Sequence, residues 1–198
     1  MAYKIAFLIY DGVAELDFVG PKDVFFASKY LSQQEDTLYT VAPSKDPVTC
    51  FGGLKVLPDH DFETAPAPDI LVVPGTADTS PQVENRALLE WVERASRHCI
   101  WTTGVCTGTA ILIAAGPAKG KTVTSHWSAI EVLRALNEAE VVEGMRYVAD
   151  GKVVTSAGVS AGIDMALWVT GQLRGPEHAR EVQRLLEYYP APPYQVEK

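Results

Sequence analysis

Short unbroken apolar runs alternate along this chain with longer segments of helical period. Residues 4–10 form the first run, ended by Asp11-Gly12, as expected for a strand buried on both faces. Pro21 opens a predicted helix that carries Val24, Phe25, Ala27 and Leu31. Residues 37–42 read as a second strand, and 48–57 as a hairpin around Gly52-Gly53. Residues 69–73 form a further buried run, stopped by Pro74-Gly75. A helix is expected over 82–97, with Val83, Ala87, Leu88, Trp91 and Val92 on one face. A strand at 99–103 then leads into an apolar helix ending at Gly116-Pro117. A short strand at 122–125, a helix at 129–136 and a hairpin at 146–156 around Asp150-Gly151 follow. Helices at 161–173 and 177–188 close the regular part, and the tail from Pro190 to Tyr194 is too proline-rich to extend them. Alternating strands and helices with buried-type strands predict an α/β fold, a mostly parallel sheet covered by helices on both faces.

The turn after the strand at 99–103 adds candidate chemistry. Gly104-Val105-Cys106-Thr107-Gly108 has the spacing Gly-x-nucleophile-x-Gly between a strand and a helix, the context of a nucleophile elbow. The glycines relieve crowding around a sharp turn, and the helix start offers free amides and a dipole that favour a thiolate. Cys50 and Cys99 lack such flanking glycines and read as packing residues. A cysteine nucleophile needs acid–base help. Asp17, expected in the loop after the first strand, can share the sheet edge with Cys106, although capping the helix at Pro21 accounts for it equally well. Glu15 reads as the solvated neighbour. His126 is either a base for Cys106 or a histidine packed beside Trp127. Asp164 either orients a partner group or complements a helix start.

Composition narrows the classes. The chain has 198 residues, 47% of them apolar and 21% charged, which suits one folded domain over 1–198. Its 17 basic against 25 acidic residues give a net charge of -8, with no basic run suited to nucleic acid or anionic membrane. No apolar stretch approaches the roughly 20 residues of a membrane span, and the N-terminus lacks a signal-peptide pattern. Three cysteines, an odd count without metal-like spacing, fit a reduced cytoplasmic protein. No cofactor or metal motif is present.

The motifs together resemble the DJ-1/PfpI superfamily, and within it the isonitrile hydratase branch. The resemblance rests on Glu15-Leu16-Asp17-Phe18-Val19-Gly20-Pro21, Val73-Pro74-Gly75, Val105-Cys106-Thr107-Gly108, the stretch from Gly120 to Trp127, that from Ser160 to Leu167, and that from Leu186 to Tyr194. It implies a flavodoxin-like sandwich, usually homodimeric. It also implies cofactor-free hydration of a small apolar isonitrile to an N-substituted formamide. In that reaction Cys106 attacks as a thiolate, a partly protonated Asp17 supplies the proton, Thr107 fixes the intermediate, and Gly75, Thr76, His126 and Trp127 border the substrate. Asp17 stands where protease-like members carry glutamate, and Thr107 where PfpI-type proteases carry histidine. Thr76 replaces the second glycine of many relatives. The same resemblance admits glyoxalase, deglycase or amidase chemistry, or a redox sensor built on Cys106. The sequence reaches Lys198 without the helix-turn-helix that related regulators append, so a regulator role is not expected.

Overall fold

The computed structural model describes residues 1–194. Its main sheet has seven strands: β1 (Lys4–Leu8), β2 (Thr37–Ala42), β5 (His60–Asp61), β6 (Ile70–Val73), β7 (Trp101–Val105), β10 (Tyr147–Asp150) and β11 (Val153–Ser156). They lie in the order β10-β11-β7-β6-β1-β2-β5, parallel throughout except for the β10–β11 hairpin. The predicted α/β architecture is therefore observed. β6 and β11 are buried along their whole length, and β1 and β7 from their second residues onward, which explains their uninterrupted apolar or small side chains.

Two small sheets lie outside it. β3 (Val48–Thr49) and β4 (Lys55–Val56) form the expected hairpin, and β8 (Thr122–Val123) pairs in parallel with β9 (Glu140–Val141). Helices α1 (Glu15–Ser32), α6 (Ala161–Arg174) and α7 (Pro176–Leu185) pack together as one layer. α2 (Ser80–Glu84), α3 (Arg86–Ser96) and α4 (Gly108–Ala115) form another, and α5 (Ile130–Leu136) lies beside β9.

Two helices differ from their sequence pattern. α1 starts at Glu15, six residues before Pro21, so Asp17 lies in its first turn and neither in a loop nor at a cap. Pro21 is tolerated inside the helix because it packs on α6, where a Cβ at Gly162 would already touch its ring at 3.3 Å. The helix expected over 82–97 is broken at Asn85, whose side chain accepts a hydrogen bond from Leu88 N–H at 3.1 Å and caps α3.

Strand order reverses beside β1, with β2 on one side and β6 on the other, and the carboxyl ends of strands at such a point form a natural crevice. In register, Val73 pairs with Gly104 and Val105 with Ser156, so β6, β7 and β11 end side by side. The loops that follow them carry Gly75, Cys106 and Val159.

Candidate active site

Cys106 joins β7 to α4 with φ of 58°, a left-handed conformation that a cysteine rarely adopts and that costs about 1–3 kcal/mol. The turn is held from several sides. Cys106 N–H donates to Ser156 O at 3.2 Å and Ala157 O at 3.3 Å, and its carbonyl accepts from the Ser125 hydroxyl at 2.8 Å. Gly108 is required by contact: a Cβ there would collide with the carbonyl oxygen of Val73 and approach that of Pro74 to 2.9 Å. Both obstacles are backbone atoms, so Gly108→Ala is expected to destabilise the fold by about 3 kcal/mol. In thermal denaturation this is a fall in Tm of about 6–12 °C.

Asp17 is fully buried, and its Oδ2 accepts from Gly75 N–H at 2.9 Å. Its Oδ1 is buried without a hydrogen-bond partner among the described residues, and the Cys106 side chain stands close enough to lower the carboxyl's pKa. Burial pushes the Asp17 carboxyl up from 3.8 to about 6, against the lowering by the Gly75 amide and the Cys106 side chain. Burial, then the Asp17 charge, pushes the Cys106 thiol up from 9.0 to about 11, although the Thr107 and Val159 amides bear on the sulfur and pull it down. Burial and the Asp17 charge outweigh these amides at this cysteine. Two anions in one dry pocket are disfavoured, so the pair keeps one proton around neutrality.

The Thr107 side chain, like its amide, lowers the pKa of the Cys106 thiol, and its hydroxyl also serves the loop after β6. Its Oγ1 donates to Thr76 O at 2.7 Å and accepts from Thr76 N–H at 2.9 Å, a double clamp on the loop after β6. Thr76 itself donates to Gly12 O at 2.6 Å, which ties that loop to the loop after β1. Gly75 fits beneath Thr107, where a Cβ would strike its hydroxyl and lie 2.7 Å from its amide nitrogen. Gly75, Thr76, Thr107, Asp17 and Cys106 are thus brought together.

The other sequence candidates are placed elsewhere. The half-buried His126 pairs through Nδ1 with the Ser128 hydroxyl at 2.7 Å, and its ring covers Gly158. It makes no hydrogen bond to Cys106 among the described residues. Trp127 is 76% exposed beside it. Both line a cavity of about 430 Å3 shared with Ser125, Met145, Arg146, Ala157 and Val159, of which Ser125 and Ala157 hydrogen-bond the Cys106 backbone. Asp164 binds Arg146 and Tyr188. Glu15 is not a freely solvated carboxylate, because it reaches under the β3–β4 hairpin to accept from Leu54 N–H at 3.5 Å. Cys50 and Cys99 are buried in packing positions.

Two neighbours escaped sequence reasoning. Tyr10, buried at the end of β1, donates to Pro74 O at 2.7 Å. Its phenol is pushed well above its ordinary value by burial and by the charges of Asp17 and Cys106. Val159 has φ of 45°, a strained conformation for a β-branched residue, and its amide faces the sulfur. The apolar run through Tyr10 offered a signal. Valine at 159 offered none. Among the described residues, no group of three or more acidic, histidine or cysteine side chains could hold a metal ion, and no helix is long and apolar enough to cross a membrane.

A family model described as DJ-1/PfpI matches residues 3–172. The chain belongs to the DJ-1/PfpI family. This DJ-1/PfpI member is 37% identical to isonitrile hydratase of Pseudomonas putida over 194 residues, 98% of this chain and 82% of that protein. It is 27% identical to the HTH-type transcriptional regulator CdhR of Pseudomonas aeruginosa over 183 residues, 92% of this chain and 54% of that protein. A THiJ/PfpI family protein from Pseudomonas syringae superposes with a TM-score of 0.91 at 34% identity, covering 100% of this chain and 80% of that one. DJ-1beta of Drosophila melanogaster, at 21% identity and a TM-score of 0.82, shares the fold over 94% of this chain and 98% of its own.

Proposed function

We propose that the protein is an isonitrile hydratase, a lyase that acts as one domain on small, uncharged isonitriles. The observation that carries this reading is the fully buried Asp17 carboxyl beside the Cys106 thiol, with its Oδ1 unpaired among the described residues. The 37% identity to the hydratase of Pseudomonas putida supports the substrate class.

In the resting pair the sulfur keeps the proton and Asp17 is ionised. As the sulfur bonds to the isonitrile carbon, Asp17 takes the thiol proton and delivers it to that same carbon, giving a thioimidate, R–N=CH–S–Cys106. The Thr107 and Val159 amides offset the charge that develops on sulfur. Asp17 then accepts a proton from water as its oxygen adds to the thioimidate carbon, and passes that proton to nitrogen. Collapse of the adduct breaks the C–S bond, the hydroxyl proton returns through Asp17 to sulfur, and R–NH–CHO leaves. The cavity beside His126 and Trp127 takes the organic substituent. Gly75 and Thr76 hold Asp17 and Thr107 in place from the loop after β6. The protein acts without a metal or organic cofactor, in the cytoplasm and as a homodimer.

The direct test is formation of the N-substituted formamide from cyclohexyl isonitrile, followed by mass spectrometry. Turnover proportional to enzyme is expected, and its absence contradicts the reading. The one-proton pair also fixes the pH profile. The reactive form, ionised Asp17 with a protonated thiol, exists above about 6 and below about 11. kcat/KM should therefore rise tenfold per pH unit below about 6 and stay level to at least pH 9. A profile that falls between pH 7 and 9 would contradict that proton placement.

A further inference from the structure

Val159 must be held in its strained turn if its amide is to face Cys106, and one residue contacts both flanks of that turn, through its backbone on one side and its side chain on the other. Arg146 precedes β10. Its carbonyl accepts from Ala157 N–H at 2.9 Å, two residues before Val159. Its guanidinium reaches the residues after it: Nε donates to Asp164 Oδ2 at 2.8 Å, Nη2 reaches the same oxygen, and Nη1 and Nη2 lie 3.3 and 3.4 Å from the Ser160 hydroxyl. Ser160 stands at the start of α6 without capping it, because its hydroxyl is turned to Arg146. The remaining Asp164 oxygen accepts from the Tyr188 hydroxyl at 3.2 Å, so the carboxylate is itself anchored. On the inner side, Gly158 is wedged against the His126 ring.

We propose that Arg146 is a positioning residue: by tying Ser160 and Asp164 with its guanidinium to the segment whose backbone holds Ala157, it keeps the strained Val159 amide on the Cys106 sulfur. The proposal rests on the reading of Cys106 as the nucleophile, but not on the identity of the substrate. A left-handed valine persists only where its surroundings over-determine it. A planar guanidinium, with several donors in fixed directions, suits that task better than a point charge. Without the clamp the 158–160 turn relaxes, the amide leaves the sulfur, and the thiolate loses one of the donors that stabilise it. Asp17 and Tyr10, the other groups that face the pair, stay in place.

The test is the pH dependence of Cys106 alkylation by iodoacetamide, read by peptide mass spectrometry, which needs no isonitrile. Arg146→Ala should move the alkylation midpoint up by about half to one pH unit, about 3- to 10-fold less thiolate at fixed pH. Arg146→Lys should recover part of that shift, and Ser160→Ala, a milder change, should shift it in the same direction by less. In a Val159→Gly background, where glycine adopts the turn unaided, Arg146→Ala should shift the midpoint by less than about 0.2 unit. An unchanged midpoint in Arg146→Ala overturns the proposal. So does a full shift retained with Val159→Gly, since Arg146 would then act through its charge and not through the turn. A shift as expected in a protein that fails to hydrate isonitriles upholds the role of Arg146 and removes only the substrate assignment.

Discussion

Cys106→Ala should abolish formamide formation, lowering kcat/KM by about 10^4-fold or more, because no other group near the crevice can form the thioimidate. Cys50 and Cys99 are buried in packing positions, with Cys99 Sγ donating to the Ala95 carbonyl at 3.2 Å, so neither substitutes for it. The variant should keep its fold. Alanine tolerates φ of 58° no worse than cysteine, and Ser125, Ser156 and Ala157 still hold the backbone of the turn. A second consequence falls on Asp17. The Cys106 side chain is one of the two groups that lower its pKa, the other being the Gly75 amide. In Cys106→Ala that lowering is lost, so the carboxyl should titrate above its wild-type midpoint of about 6. Carbon-13 NMR of the labelled aspartates reads that movement directly. Residual hydration within tenfold of wild type would contradict the role of the sulfur.

Asp17→Asn should separate activity from stability. Activity should fall by about 10^3-fold or more, since the amide can neither take the thiol proton nor pass one to the isonitrile carbon. Stability should move the other way. A folded pKa of about 6 against an ordinary 3.8 means that the folded state binds protons more tightly than the unfolded chain. The contribution is complete below the unfolded value and is lost as pH rises through about 6. At neutral pH the wild type thus carries a buried carboxylate that costs about 3 kcal/mol, from a shift of roughly two units. Asparagine removes that cost. Its amide oxygen still accepts from Gly75 N–H, and its amino group faces the sulfur. Tm of Asp17→Asn should match wild type near pH 4 and exceed it by about 6–12 °C at pH 8. Equal Tm values at pH 8 would show that Asp17 is not raised in the folded protein.

Much of the fold was legible because buried parallel strands leave unbroken apolar runs, and residues 5–8 and 70–73 show this plainly. β8 and β9 carry too little periodicity, at two residues each, to declare their pairing. Helix boundaries were misread where tertiary packing overrides a local preference. Pro21 favours a first turn, yet its contact with α6 at Gly162 holds it inside α1 and carries Asp17 into the buried first turn. Asn85, by contrast, was a readable cap signal that breaks the apolar face running from Val83 to Val92. At the site, the glycine spacing around Cys106 predicted a strained turn, and φ of 58° agrees. The sign of the thiol shift was not legible, because it depends on how completely Asp17 and Cys106 are buried together. Nor was the left-handed Val159, since no valine announces a conformation that only its neighbours impose.

Intact-protein mass spectrometry after rapid acid quench tests the central claim most directly. With cyclohexyl isonitrile in excess, wild type should gain the mass of one isonitrile, mapped to Cys106 by peptide analysis, and should lose it as formamide accumulates. Cys106→Ala should gain nothing. Formamide formed without any adduct on Cys106, or an adduct on another residue, would contradict the account.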